Sequence, residues 1–268
     1  MAGEAARFIG TMPEYYDREL GPVIFEHYAD DIARRVASCG AERVLEVAAG
    51  TGIVTRRLRD ALPATALLTA SDLNPPMLDV ARAKFDAGEQ VEFQPADAMA
   101  LPFPNTSFDA VVCQFGVMFF PDKSESYREV HRVLAPGGRY FFNVWDSHRY
   151  NPFGRIAHET ISRLFPDDPP QFYAVPFGYH RIDPIKDSLI DAGFTNISIA
   201  VLDSERELNI AVFAHGHVYG NPVADQIRMR GGITPEHFLS QLVDAYTREF
   251  GTPARMPLKA IVFEATKR

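Results

Sequence analysis

The stretch Val44-Leu45-Glu46-Val47-Ala48-Ala49-Gly50-Thr51-Gly52 decides the fold. Its first half is a short apolar run suited to a strand buried on both faces. Its second half is made of small residues, which let the backbone turn sharply and pass close to a ligand, with free helix N–H groups beyond the turn. Twenty residues after Gly52, ending the next strand-like run, stands Asp72. A carboxylate at that place can take both hydroxyls of a ribose, as in doubly wound nucleotide-binding folds. A glycine loop alone is weak evidence, whereas strand, loop, helix, strand and terminal acid in order are considerably stronger.

Outward from this stretch, strand-like and helix-like segments alternate, as expected of a parallel sheet covered on both faces. The strands fall at 43–49, 64–72, 91–97, 108–115 and 139–145. A helix spans 20–38, with Ile24, Tyr28 and Ile32 on one face. Asn74 caps another that begins Pro75-Pro76, and Ser124 opens a third that stops at Pro136-Gly137-Gly138. After Trp145 the texture changes: from Pro152 to Pro184 six prolines are interleaved with Phe153, Phe165, Phe172, Tyr173, Phe177 and Tyr179. This segment reads either as a packed loop or as a lid over an apolar pocket. Further on, Asp183-Pro184 opens a short helix, 197–202 alternates like a strand, Thr234-Pro235 opens a helix and 258–265 is a closing strand.

A chain of 268 residues, 46% apolar and 23% charged, suits one compact domain and is far from a disordered composition. The expectation is a single domain with a core at 13–145 and substrate-covering insertions at 147–183 and 205–255. Apolar runs are too short for a membrane span, and the first residues lack the basic patch and apolar core of a secretory signal. The net charge of −8 gives nucleic acid no chain-wide attraction. The densest basic cluster, Arg56, Arg57 and Arg59, reads as a solvated helix face. Two cysteines, Cys39 and Cys113, offer no disulfide framework and point to a reducing, cytoplasmic setting.

These motifs resemble the class I S-adenosylmethionine-dependent methyltransferases, specifically the type 11 group related to ubiquinone and menaquinone biosynthesis methyltransferases. The resemblance covers about residues 13–145. It runs through Glu46 to Gly52, Ser71-Asp72-Leu73-Asn74, Pro95-Ala96-Asp97-Ala98, Leu101-Pro102-Phe103 with Phe108-Asp109, and Leu134 to Arg139. It implies a Rossmann-like, doubly wound α/β sheet of seven strands, mostly parallel, with the last strand inserted antiparallel beside the fifth and a helical or loop lid.

The resemblance also implies S-adenosyl-L-methionine as cofactor and S-adenosyl-L-homocysteine as product. Glu46 would face the methionine amino group. Ala48, Gly50 and Gly52, with Thr51 in the same loop, would lie under the methionine and ribose. Asp72 would hold the ribose hydroxyls, with Leu73 and Met77 against the adenine, while Asp97 and the Ala98 N–H would read the adenine. Gln114 and Phe115 would flank the sulfonium, and Tyr16, in Tyr15-Tyr16-Asp17, would fold over the cofactor.

Two departures matter. Ala48 stands where family members often have Gly, which narrows the close approach. After the fourth strand, Cys113-Gln114-Phe115-Gly116 replaces the Asn/Asp-Pro-Pro-aromatic run of enzymes that methylate base amino groups. The expected acceptor is therefore a small, partly apolar molecule, methylated at oxygen or carbon. Phe119, Tyr150, Phe177, Tyr179 and His180 are its candidate contacts. His148, His180, Tyr150 and Tyr179 are candidates for deprotonation, although packing or surface duty is the plainer reading of each, and no catalytic residue is assigned. His215-Gly216-His217 lacks a third ligand at recognisable spacing, so no metal is expected. No nucleic-acid or membrane partner is expected, and a homodimer is left open. The rival readings are an NAD(P)-dependent dehydrogenase, whose fingerprint wants a third glycine where Val54-Thr55 stands, and a non-catalytic S-adenosylmethionine-binding protein.

Overall fold

The computed structural model describes Phe8 and residues 10–268. Seven strands form one sheet: β1 (Arg43–Val47), β2 (Leu67–Asp72), β3 (Val91–Pro95), β4 (Phe108–Gln114), β5 (Leu134–Trp145), β6 (Phe194–Glu207) and β7 (Arg255–Lys267). Their order is β3-β2-β1-β4-β5-β7-β6. The first five pair in parallel, and β7 runs antiparallel between β5 and β6, as the family resemblance implies. Strand order reverses between β1 and β4, so the crevice outside their carboxyl ends is where such a sheet binds ligands.

Local chemistry explains most helix boundaries. The first helix, α1 (Met12–Tyr15), continues into a wide-laddered π-helical stretch, Tyr16–Phe25, and then into α2 (Glu26–Ser38). This helical run starts earlier than the expected position 20. Pro22 has no N–H to give a regular α ladder, and at the end of the wide stretch the amide of Glu26 reaches back five residues to Gly21 O. Between β1 and β2, α3 (Ile53–Ala61) begins at Gly52 in left-handed geometry. Pro75 and Pro76 open α4 (Pro75–Arg82) behind Asn74, although the Asn74 side-chain oxygen accepts the Phe8 amide (3.3 Å) and does not cap the helix.

The helix expected from Ser124 is α5 (Lys123–Val133), capped one position earlier than its opening by the Asp122 carboxylate. It stops at Val133, and β5 starts at Leu134, five residues before the expected 139. Pro136-Gly137-Gly138 is consequently a bulge within β5: the pairing jumps from Phe108 with Leu134 to Ala110 with Arg139.

The proline-rich segment is more helical than a packed loop, forming α6 (Pro152–Leu164) and α7 (Ala174–Gly178) before α8 (Ile182–Asp191). Pro152 occupies the first turn of α6, where its missing N–H costs nothing. Beyond β6 stand two helices not foreseen in the sequence, α9 (Ile210–Tyr219) and α10 (Val223–Arg230), and then α11 (Pro235–Phe250), capped by Thr234. Gly216 and Gly220 put α9 hard against the π-helical stretch. A Cβ on Gly216 would lie 2.8 Å from Glu19 Cβ, and one on Gly220 would lie 2.8 Å from the Tyr16 amide. The Gly of His-Gly-His is thus a packing residue.

The basic cluster on α3 also differs from the expected solvated face. Arg56 pairs with Asp60 and Glu89, and Arg57 with Glu26 and Asp30. Arg59 is buried, and its guanidinium donates to the carbonyls of Ala66 (2.8 Å), Gln90 (3.2 Å), Leu62 (3.3 Å) and Pro63. The carbonyls of Leu62, Pro63 and Ala66 belong to the turn between α3 and β2, and that of Gln90 immediately precedes β3. Arg59→Met keeps the stem but strips the donors, so urea unfolding is expected to show a loss of about 3 kcal/mol, the worth of one or two charged hydrogen bonds.

Candidate functional site

One cavity opens at the carboxyl ends of β1 to β5. Its polar half is built by the turns after β1, β2 and β3. Asp72 ends β2 almost fully buried, and its carboxylate accepts the amides of Gly50 (2.9 Å) and Asn74 (2.8 Å) and the Asn74 side-chain amide (3.1 Å). Burial raises its pKa while those bonds pull it down. After β3, Asp97 accepts the Met99 amide (2.9 Å) and lines the cavity beside Ala98. Leu73 lines the same end and is 60% exposed, an apolar face with nothing yet against it.

The loop after β1 is shaped for close approach. Ala48, Gly50 and Gly52 all have left-handed backbones, with φ of +55°, +56° and +78°. At Gly50 a Cβ would meet nothing within 4 Å, so its absent side chain leaves open space over the loop. Ala48 pays for its methyl with conformational strain, and Gly116 makes room for it: a Cβ on Gly116 would come within 2.5 Å of Ala48 Cβ. The glycine after β4 thus accommodates the Ala48 methyl where the turns after β1 and β4 meet.

The other half is aromatic. Phe115, also left-handed at φ +51°, stacks on Trp145 at 4.0 Å and meets Tyr28 edge-on. Two bonds hold its amide in that conformation, to Asn143 O (3.2 Å) and Asn143 Oδ1 (3.0 Å). Gln114 donates to Phe25 O (3.3 Å), which ties the fourth strand to the N-terminal helices. Phe25 and Tyr16 stack at 4.9 Å along one wall. Phe153, Phe172, Tyr173 and Phe177, from the proline-rich segment, also line the cavity, with His217 and Asn221 of the α9 region.

Of the residues singled out in the sequence, Tyr16, Ala48, Gly50, Asp72, Leu73 and Met77 line this cavity, as do Asp97, Ala98, Gln114, Phe115, Phe119 and Phe177. Seven others are not part of its lining, among them His148, whose Nε2 lies 3.1 Å from Tyr173 O. Glu46 is buried beneath the loop, where Thr55 Oγ1 donates to it (2.6 Å), and burial pushes its carboxyl up to about 8. Thr51 turns to the N-terminal helices and donates to Asp17 (2.6 Å), which also pairs with Lys84. Gly52 lies against Ala81, so its missing Cβ serves helix packing. Tyr150 is exposed beneath the Lys259 ammonium (4.2 Å). The Tyr179 hydroxyl bonds that of Tyr127 (3.0 Å), and His180 Nδ1 lies 2.8 Å from Phe177 O.

Phe8, Phe25, Trp145, Phe153, Phe172 and His217 line the cavity without having been singled out for it. The aromatic density of 152–184 was the only available signal for two of them. His215 and His217 part company: His215 Nδ1 pairs with Glu19 (2.7 Å), whereas His217 is buried between Phe153, Phe213 and Tyr246. Among the described residues, no group of three or more His, Cys, Asp or Glu is arranged to hold a metal, and no helix is long and apolar enough to cross a membrane.

Residues 44–138 match the family described as methyltransferase domain. A demethylmenaquinone methyltransferase of Thermus thermophilus is 40% identical over 126 residues, covering 47% of this chain and 57% of the relative. A ubiquinone/menaquinone biosynthesis C-methyltransferase, UbiE, of Pseudomonas syringae pv. tomato is 32% identical over 169 residues, covering 58% and 66%. The matched part is thus somewhat more than half of each relative. Among solved structures, the YcgJ protein of Bacillus subtilis superposes over 90% of this chain and 99% of its own, with a TM-score of 0.62 at 19% identity. The [4+2]-cyclase SpnF superposes over 90% and 80%, with a TM-score of 0.54 at 18% identity. Since a protein named as a cyclase shares the architecture, the fold alone does not carry the reaction.

Proposed function

We propose that the chain is a class I S-adenosylmethionine-dependent methyltransferase of the type 11 group and that it methylates a small, partly apolar acceptor at carbon or oxygen. The name of the Pseudomonas relative, a C-methyltransferase, favours carbon. The observation that carries the reading is the division of the cavity: acidic groups and an open glycine loop at one end, aromatic walls at the other.

The donor set at the polar end fits the cofactor. Asp72 offers carboxylate lone pairs to a ribose diol, Asp97 and the Ala98 amide suit an adenine edge, and Leu73 and Met77 offer apolar faces. Bound there, S-adenosylmethionine supplies an electrophilic methyl group, so the protein needs to contribute little covalent chemistry. Gln114 and Phe115 border the passage between the two ends. Aromatic faces there attract a cationic group by about 0.5 to 2 kcal/mol. Tyr16 and Phe25, with Phe153 and Phe177, keep water from an acceptor and hold it for in-line approach. We assign the proline-rich segment and α9 to this covering role.

The dehydrogenase reading has less support. Thr55, where the third glycine would stand, is buried in α3 with its hydroxyl on Glu46, and no glycine is available there for close approach to a pyrophosphate. The non-catalytic reading is decided by turnover. Purified protein given methyl-labelled S-adenosylmethionine and 1,4-naphthohydroquinone, or a metabolite extract, is expected to move label into a product extractable by organic solvent. Failure to label anything while the cofactor still binds would favour a non-catalytic S-adenosylmethionine-binding protein.

A further inference from the structure

We infer that the acceptor carries a hydroxyl, and that Nε2 of His217 receives its hydrogen bond at the aromatic end of the cavity. This rests on the proposed methyl transfer and specifies the acceptor's class. His217 is 3% exposed, and it lines the cavity where the wall is otherwise aromatic. Its Nδ1 lies 2.8 Å from the Tyr246 hydroxyl, and that hydroxyl donates its one proton to Phe153 O (3.0 Å). The Tyr246 oxygen can therefore only accept from the ring, which makes Nδ1 the protonated nitrogen and leaves a bare lone pair on Nε2.

The ring has little freedom to turn. It stacks on Phe153 at 5.4 Å with the planes 14° apart, and Phe213 meets it edge-on at 4.4 Å. Its backbone is clamped as well, because the Tyr173 hydroxyl (2.8 Å) and the Asn221 side-chain amide (3.1 Å) both donate to His217 O. Among the described residues, no protein group bonds Nε2, and that atom is not among the fully enclosed polar atoms lacking a partner. The cavity is what remains for it to face. Burial pushes the ring's pKa down to about 3, so near neutral pH it is an uncharged acceptor.

An acceptor nitrogen held in an apolar enclosure is stranded by a ligand without a donor and satisfied by one that brings an O–H. Sites built this way discriminate strongly against the analogue lacking the group. His217 is thus a specificity-determining residue that selects for a hydroxyl on the acceptor; the proton stays on the ligand oxygen, so no proton transfer is required of the imidazole.

The test compares 1-naphthol with 1-methylnaphthalene, similar in shape but differing in the donor, for binding to protein saturated with S-adenosylhomocysteine. Wild type is expected to bind the naphthol at least about tenfold more tightly. His217→Phe should reduce that ratio to about one, and Tyr246→Phe, which frees the ring to change tautomer, should reduce it by at least about threefold. Both should bind S-adenosylhomocysteine within about threefold of wild type, showing that the fold and the cofactor end are intact. Equal wild-type affinities, no binding of the naphthol, or an unchanged ratio in His217→Phe would overturn the inference. If wild type fails to bind S-adenosylhomocysteine at all, the methyltransferase reading fails instead.

Discussion

Asp72→Ala is expected to weaken S-adenosylhomocysteine binding by at least ~100-fold, the equivalent of two charge-assisted hydrogen bonds to a ribose diol at roughly 1.5 kcal/mol or more each. The carboxylate has a second duty, since it accepts the amides of Gly50 and Asn74 across the crevice. Losing it therefore also loosens the loop, and unfolding free energy should fall by about 1 to 2 kcal/mol. The two losses are separable by measuring affinity calorimetrically well below the melting temperature of the variant. If affinity is unchanged, the ribose is held elsewhere.

The second large effect concerns Glu46 and is a matter of pH. Its folded-state pKa is raised from 4.5 to about 8, chiefly because the carboxyl is buried, with only Thr55 donating to it among the described residues. Between those values the folded protein holds a proton that the unfolded chain has released. Stability is accordingly full below about pH 4.5 and falls as pH rises toward 8, by an amount on the order of 4 kcal/mol. Glu46→Gln replaces the carboxyl with a neutral group of the same shape. Urea unfolding at pH 5, 7 and 9 should show a much flatter profile for the variant, which at pH 9 should be the more stable protein. Because the pKa of Asp72 is also raised, some slope persists. Parallel profiles for variant and wild type would show that Glu46 stays ionised in its niche.

What could be read in advance was what the chain encodes locally. The run from Val44 to Gly52 is a buried strand followed by small residues whatever surrounds it, Asp72 ends the next strand-like run, and Asp97 follows the alternating stretch from Val91 to Pro95. Ten of the twelve singled-out positions that line the cavity stand at strand ends or in the segments just after them, which a parallel sheet brings to one edge, whereas Tyr16 and Phe177 come to it from helices. The family resemblance supplied the placement of β7, since alternation tells that a strand exists and says nothing of its direction.

The rest depended on partners distant in sequence. Trp145 joins the cavity because it stacks on Phe115, and His217 because Tyr246 and Phe153 fix its ring; neither relation leaves a periodic trace. Tyr150, Tyr179 and His180 illustrate the converse. They neighbour cavity residues in sequence, but Lys259, Tyr127 and the Phe177 carbonyl engage them outside it. Arg59 looked like surface charge because its partners are backbone carbonyls, which no side-chain pattern displays.

The central claim is that the polar end of the cavity holds S-adenosylmethionine, and calorimetric titration of the purified protein tests it most directly. S-adenosylmethionine and S-adenosylhomocysteine are each expected to bind one per chain, and NADH is expected to give no saturable heat. Absence of binding by both, or saturable binding of NADH in their place, would contradict the account.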